Sequence, residues 1–120
     1  MLLGSFYNIV ESGKEGTTYH LKISFNPAHK IFEGHFPDLP VVPGVCQTQI
    51  LVETLSHLLS RNLEIKHAHH IKFLALLNPV KDNQLNLAIK IEKEEGDILW
   101  VSALYSSEAE TFFRFKGELH

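Results

Sequence analysis

With 120 residues, 44% of them hydrophobic, the chain has the size of one compact domain with a real but modest core. Fourteen acidic against eleven basic side chains give a formal charge of −3, and no Lys/Arg cluster offers a phosphate footprint, which argues against nucleic acid as a partner. The single cysteine rules out an internal disulfide framework, no apolar run approaches the roughly 20 residues of a membrane span, and no leader pattern is evident, so a cytoplasmic protein is expected.

Residues 5–10 and 17–25 read as two strands separated by a turn carrying Gly13 and Gly16. In the second, Tyr19, Leu21, Ile23 and Phe25 alternate with His20, Lys22 and Ser24, the period of a half-buried strand. Pro27 closes it. A loop to residue 42 contains Gly34-His35-Phe36-Pro37 and leads into Pro43-Gly44-Val45. Prolines fix φ and glycines permit unusual backbone, so such a loop holds its imidazole in one place.

From 44 to 61 the period changes. Val45, Ile50, Val52, Leu55, Leu58 and Leu59 are spaced for a helix that is apolar over much of its circumference, with Pro43 near its start and Asn62 at its end. A helix of that kind is expected to be buried. The rest reads as strands: 65–77, closed by Asn78-Pro79; 84–94; then, after the Gly96-Asp97 turn, 98–107 and 110–119. Two strands, one long helix and a run of strands imply an α+β fold in which an antiparallel sheet packs on the helix, as a single domain over residues 1–120.

His35 is the first candidate for chemistry, because imidazole can take and return a proton near neutral pH. Gly34 allows close backbone approach, while Phe36 and Pro37 would shield the ring from water. The helix start supplies a second component: its first N–H groups have no intrahelical partner, so Gly44 and Val45 could hold a carbonyl oxygen on which charge develops. Cys46, in the first turn, could be a thiolate favoured by the helix end, but apolar filling is the stronger reading. His67, His69 and His70 invite a metal reading, yet on a strand the first two would share one face and the third the other, with no cysteine pair or acidic cluster to complete a site; no metal is expected. Ser56 and His57 are adjacent on the helix and point apart. The aromatic residues Trp100, Tyr105, Phe112, Phe113 and Phe115 are read as core and subunit packing.

The run Gly34-His35-Phe36-Pro37 followed by Pro43-Gly44-Val45 resembles the signature of the FabZ/FabA-type 3-hydroxyacyl-acyl-carrier-protein dehydratases, strongly from 32 to 53 and more weakly, in register, through Ile71-Lys72-Phe73 and Pro79-Val80 to the last strands. The resemblance implies a hotdog fold, an antiparallel sheet wrapped around one long central helix. It also implies a homodimer or higher oligomer, or a hetero-oligomer with another hotdog subunit, whose site lies between chains. His35 of one chain would then remove the α-proton of a 3-hydroxyacyl thioester, with Phe36 and the Gly44 and Val45 N–H groups against the substrate. The acyl group would arrive on the phosphopantetheine arm of an acyl carrier protein, without a further cofactor, for fatty acid or polyketide/polyene-type synthesis.

Where the family carries a Glu or Asp on the helix, this chain has Gln49. An amide can orient a hydroxyl or a water but has no proton to give at neutral pH, and general acid catalysis is typically worth about 10²–10⁴-fold. Glu53, one turn on, is a possible substitute acid if partial desolvation raises its pKa; otherwise it faces a gap at the surface or subunit boundary. Asp38 is a more remote possibility that reads as a turn residue. A thioesterase that directs water from Gln49, or a non-catalytic acyl-thioester or carrier-protein binding subunit, would use the same pocket.

Overall fold

A computed structural model of the chain describes residues 1–33 and 39–120. Strands β1 (Tyr7–Glu15) and β2 (Thr18–Phe25) form a hairpin closed by Gly16 and Thr17, with Glu15 opposite Thr18. Gly16 has φ +61°, and Gly96 repeats this with φ +62° between Glu95 and Ile98. A two-residue hairpin with positive φ at its first central position matches the right-handed strand twist, and glycine takes that conformation without a Cβ penalty. Strand β1 runs through Gly13, so the turn is tighter than the sequence suggests.

Helix α1 covers Gly44–Leu59, entered through Pro43 in extended conformation. It stops two residues earlier than expected because Ser60 turns left-handed, φ 52°, and donates its N–H to His57 and Ser56 carbonyls. Strands β3 (Ile65–Phe73), β4 (Gln84–Glu95), β5 (Ile98–Ser106) and β6 (Thr111–Leu119) complete the order β1-β2-β4-β5-β6-β3, antiparallel throughout. Strand β3 is four residues shorter than expected. After Phe73 the chain leaves the sheet, held by Leu74 N–H to Phe112 O and by Val42 N–H to Leu77 O, both 2.8 Å.

One sheet face buries Leu21, Ile23, Leu85, Leu87, Ile89, Val101, Tyr105, Phe113 and Phe115 in the same core as Ile50, Leu51 and Leu55 of α1. Each such side chain contributes roughly 1.5–3 kcal/mol, so docking rather than intrinsic propensity holds this helix. Tyr105 stitches the layers together, its hydroxyl donating to Gln47 O at 2.9 Å. The helix is less uniformly apolar-in than its sequence implies: its buried stripe includes Gln47, Glu53 and Thr54, while Val45 is 76% exposed.

Strand β3 is an edge strand, exposed along nearly its whole length, and its bulges bring the His67 carbonyl against Gly117 of β6. On the outer sheet face Lys72 stands opposite Arg114 and His70 opposite Lys116. With Lys90, Ala88 and Leu104, the residues His70, Arg114 and Lys116 line a shallow concavity. The bulge between Ala68 and His70 therefore puts His67, opposite Glu118, and His70, opposite Lys116, on the same sheet face, where simple strand alternation would separate them.

Candidate active site

The start of α1 is built by Pro43. With no N–H of its own it needs no partner, and its carbonyl accepts from the N–H groups of Cys46 (3.0 Å) and Gln47 (3.1 Å). The N–H groups of Gly44 and Val45 meet no backbone acceptor among the described residues, as is usual in the first turn of a helix. The space above Gly44 is taken, however: a Cβ built there would lie 2.8 Å from the tip of the Phe73 ring. This ring, 52% exposed, is the lid of an apolar cleft whose walls are Val41, Val42, Ala75, Leu76 and Leu77. The room that glycine leaves is filled by the Phe73 ring.

Gln47 also lines this cleft, 3% exposed. Its Nε2 donates to Val42 O at 3.1 Å, while Oε1 finds no partner among the described residues. Cys46 is buried beneath the same turn. Burial first, then the charge of Glu53, push its thiol upward, so the thiolate is disfavoured and the apolar-filling reading fits.

Gln49 lies one turn further along and is exposed, in a separate groove with Leu3, Val52, Glu53 and His57. Its Nε2 donates to Glu53 Oε2 at 2.9 Å. Glu53 is 6% exposed and accepts four more hydrogen bonds: Leu2 N–H to Oε1 (3.0 Å) and Oε2 (2.9 Å), Leu3 N–H to Oε1 (2.7 Å), and the Tyr7 hydroxyl to Oε1 (3.2 Å). Burial pushes its pKa up, but the bonds from Leu2, Gln49, Leu3 and Tyr7 together outweigh it and hold the carboxyl below its ordinary value. This corrects the expectation of an acid kept protonated by desolvation. Glu53 is an ionised anchor under the segment that precedes β1, and it lines the groove that it shares with Gln49. Tyr7, buried beside that charge, is pushed well above the usual phenol range.

The sequence reading thus found Gln49 and Glu53 but not their connection. It missed Tyr7, the Leu2–Leu3 backbone and Gln47. The available signal was an acidic residue in an otherwise apolar stripe, since a buried carboxylate demands partners. His35, Phe36 and Asp38, with Gly34 and Pro37, lie outside the described residues. The imidazoles of β3 form a surface cluster: His67 and His69 rings are 4.2 Å apart, and His69 Nε2 lies 2.9 Å from Glu118 Oε2. Among the described residues there is no group of three or more side chains placed to hold a metal, and no helix is long and apolar enough to cross a membrane.

Comparison with known proteins gives this geometry its family. The ApeI-like family, described as ApeI dehydratase, matches residues 11–112. A 3-hydroxyacyl-[acyl-carrier-protein] dehydratase FabZ from Caulobacter sp. (strain K31) is 28% identical over 86 residues, 72% of this chain and 48% of the relative. The Caulobacter vibrioides FabZ is likewise 28% identical over 86 residues, so the chain spans about half the length of the curated relatives it matches. Among solved structures, the dehydratase heterocomplex ApeI:P from Xenorhabdus doucetiae superposes with a TM-score of 0.77 at 22% identity, over 92% of this chain and 95% of that one. An uncharacterised Erwinia carotovora protein superposes with a TM-score of 0.64 at 20% identity, over 93% and 91%. A hotdog-like antiparallel sheet on one helix is the fold, and the chain belongs to the ApeI-like dehydratase family.

Proposed function

We propose that the chain acts on 3-hydroxyacyl thioesters carried by an acyl carrier protein, as a dehydratase-type hotdog subunit in fatty acid or polyketide/polyene-type synthesis. The observation that carries this reading is the helix start at Gly44 and Val45, whose N–H groups meet no backbone acceptor among the described residues, downstream of Gly34-His35-Phe36-Pro37 in the sequence. Those donors would hold the thioester carbonyl as it gains enolate character. The Phe73 ring would give way to the acyl arm, and Phe36 would help close the pocket. His35 would take the C2 proton, with Gln49 orienting the 3-hydroxyl. Because Gln49 cannot supply a proton, the same imidazole returns it to the departing oxygen. No cofactor is needed beyond the phosphopantetheine that carries the acyl group.

A dimer with the family's shared site, His35 from one chain and Gln49 from the other, is consistent with the exposed β3 edge and with the exposed apolar residues Val45, Phe73, Leu74 and Leu76 around the helix start. A second reading, a binding subunit beside a fully equipped hotdog partner, draws on the commitment of Glu53 to structure, which leaves no carboxylic acid on this helix for catalysis. A thioesterase would use the same donors with water in place of the hydroxyl.

The test is incubation of the purified protein with a 3-hydroxyacyl carrier-protein thioester, products resolved by mass, beside His35→Ala. Enoyl product that disappears in His35→Ala supports the dehydratase. Free acid supports the thioesterase. Binding without either product supports the subunit reading and overturns the first.

A further inference from the structure

We infer that Glu53 is a positioning residue for Gln49, fixing its amide so that the carbonyl oxygen and not the anchored nitrogen is turned to the substrate hydroxyl. This rests on the reading of Gln49 as the group that orients that hydroxyl. A glutamine amide in water flips at little cost, because each end finds partners. Beside Glu53 it cannot. An ionised carboxylate only accepts hydrogen bonds, so a flipped amide would set its carbonyl against Oε2, at the 2.9 Å now bridged by an N–H. The carboxylate in turn cannot rotate away: Oε1 is held by Leu2, Leu3 and Tyr7, and Oε2 by Leu2 as well as Gln49. The amide is oriented through a chain of contacts that begins outside the helix.

The chemistry gives that orientation a use. A carbonyl acceptor takes the hydrogen of the 3-hydroxyl and leaves an oxygen lone pair turned toward the imidazolium. The C2–H electron pair becomes the C2=C3 π bond, the C3–O pair leaves with the oxygen, and that oxygen takes the proton from the imidazolium and departs as water. An amide presented nitrogen-first would instead occupy the lone pair that must receive the proton.

The experiment uses the full chain, with Glu53→Gln, Gln49→Ala and the double variant, folding checked by circular dichroism. Turnover of a 3-hydroxyacyl phosphopantetheine thioester is measured alongside the ¹⁵N–¹H signals of the Gln49 side chain. Glu53→Gln is expected to lower kcat about 10- to 100-fold with little change in KM, the cost of a misplaced reacting group. The double variant is expected to be no slower than Gln49→Ala, because Glu53 acts through Gln49. The Gln49 NH₂ signals, shifted and slow to exchange in wild type, should move to the position of solvated glutamines in Glu53→Gln. Additive losses in the double variant, or Gln49 signals indifferent to Glu53→Gln, overturn the inference. A wild-type rate in Gln49→Ala overturns instead the reading of Gln49 on which it rests. If Glu53→Gln does not fold, Glu53→Asp keeps the charge with a shorter reach: partial displacement of the amide signals supports the inference, and unmoved signals overturn it. The amide signals report whether or not the wild type turns over.

Discussion

A carboxyl restored at position 49 would not enter an empty environment, because Glu53 Oε2 already lies 2.9 Å from the amide nitrogen there. Two carboxylates so placed share a proton, and one of the pair titrates well above the ordinary value of about 4.3. In Gln49→Glu the raised folded pKa makes the variant most stable below the unfolded carboxylate pKa, with stability lost as pH rises through the folded value. We expect melting temperatures that diverge from wild type between pH 4.5 and 8, reaching roughly 2–4 kcal/mol at neutral pH, since unit charges 4 Å apart repel by about 4 kcal/mol at an effective dielectric of 20. Parallel pH profiles would refute the shared proton. Wild-type Glu53 has the opposite sign. Its pKa is held down, so its contribution is present above the unfolded pKa and lost as pH falls through the folded value. Glu53→Gln should therefore be clearly destabilised at pH 7 and much less so near pH 3, a convergence that thermal melts would reveal.

At the level of the elements, β3 crowds β6 at Gly117, where an added Cβ would lie against the His67 carbonyl, with Phe115 beside it. Backbone cannot swing aside as a side chain can. Gly117→Ala is expected to cost about 1–3 kcal/mol and to loosen β3 from β6, read as faster amide exchange in β3 than elsewhere. Much of the element order was legible: β2 and β4 alternate cleanly because one face meets the core and the other meets water, and Gly16 and Gly96 announce their turns. Less legible was what interrupts an element. The end of β3 at Phe73 is set by Leu74 pairing with Phe112 and by Leu77 pairing with Val42, partners distant in sequence. The helix stripe misled for the same reason: Gln47 and Glu53 are buried because Val42, Leu2, Leu3 and Tyr7 come to them. Position 49 could be read from its motif, but its orientation could not, since the residue that sets it is itself anchored from another part of the chain.

For the whole molecule, an exposed edge strand beside exposed apolar side chains asks for a partner. Ile71 lies on β3, opposite Phe115 and 40% exposed. Ile71→Asp is expected to shift the assembly toward monomer in light-scattering chromatography while the protein remains folded; an unchanged mass would exclude β3 as the joining edge. The outer face carries a different consequence. Lys72 opposite Arg114 places two cations across from one another, and among the described residues neither meets a carboxylate within 4.0 Å. Directly opposed like charges weaken a sheet, typically by about 0.2–1 kcal/mol per pair. Dissolved salt relieves such repulsion, as the Debye length shrinks from about 10 Å at 0.1 M to about 3 Å at 1 M. Arg114→Gln should raise the urea midpoint in dilute buffer and lose that advantage in molar sodium chloride. Ionic strength thus acts on this face as a tightening agent, drawing β3 and β6 together where it would loosen an ordinary ion pair.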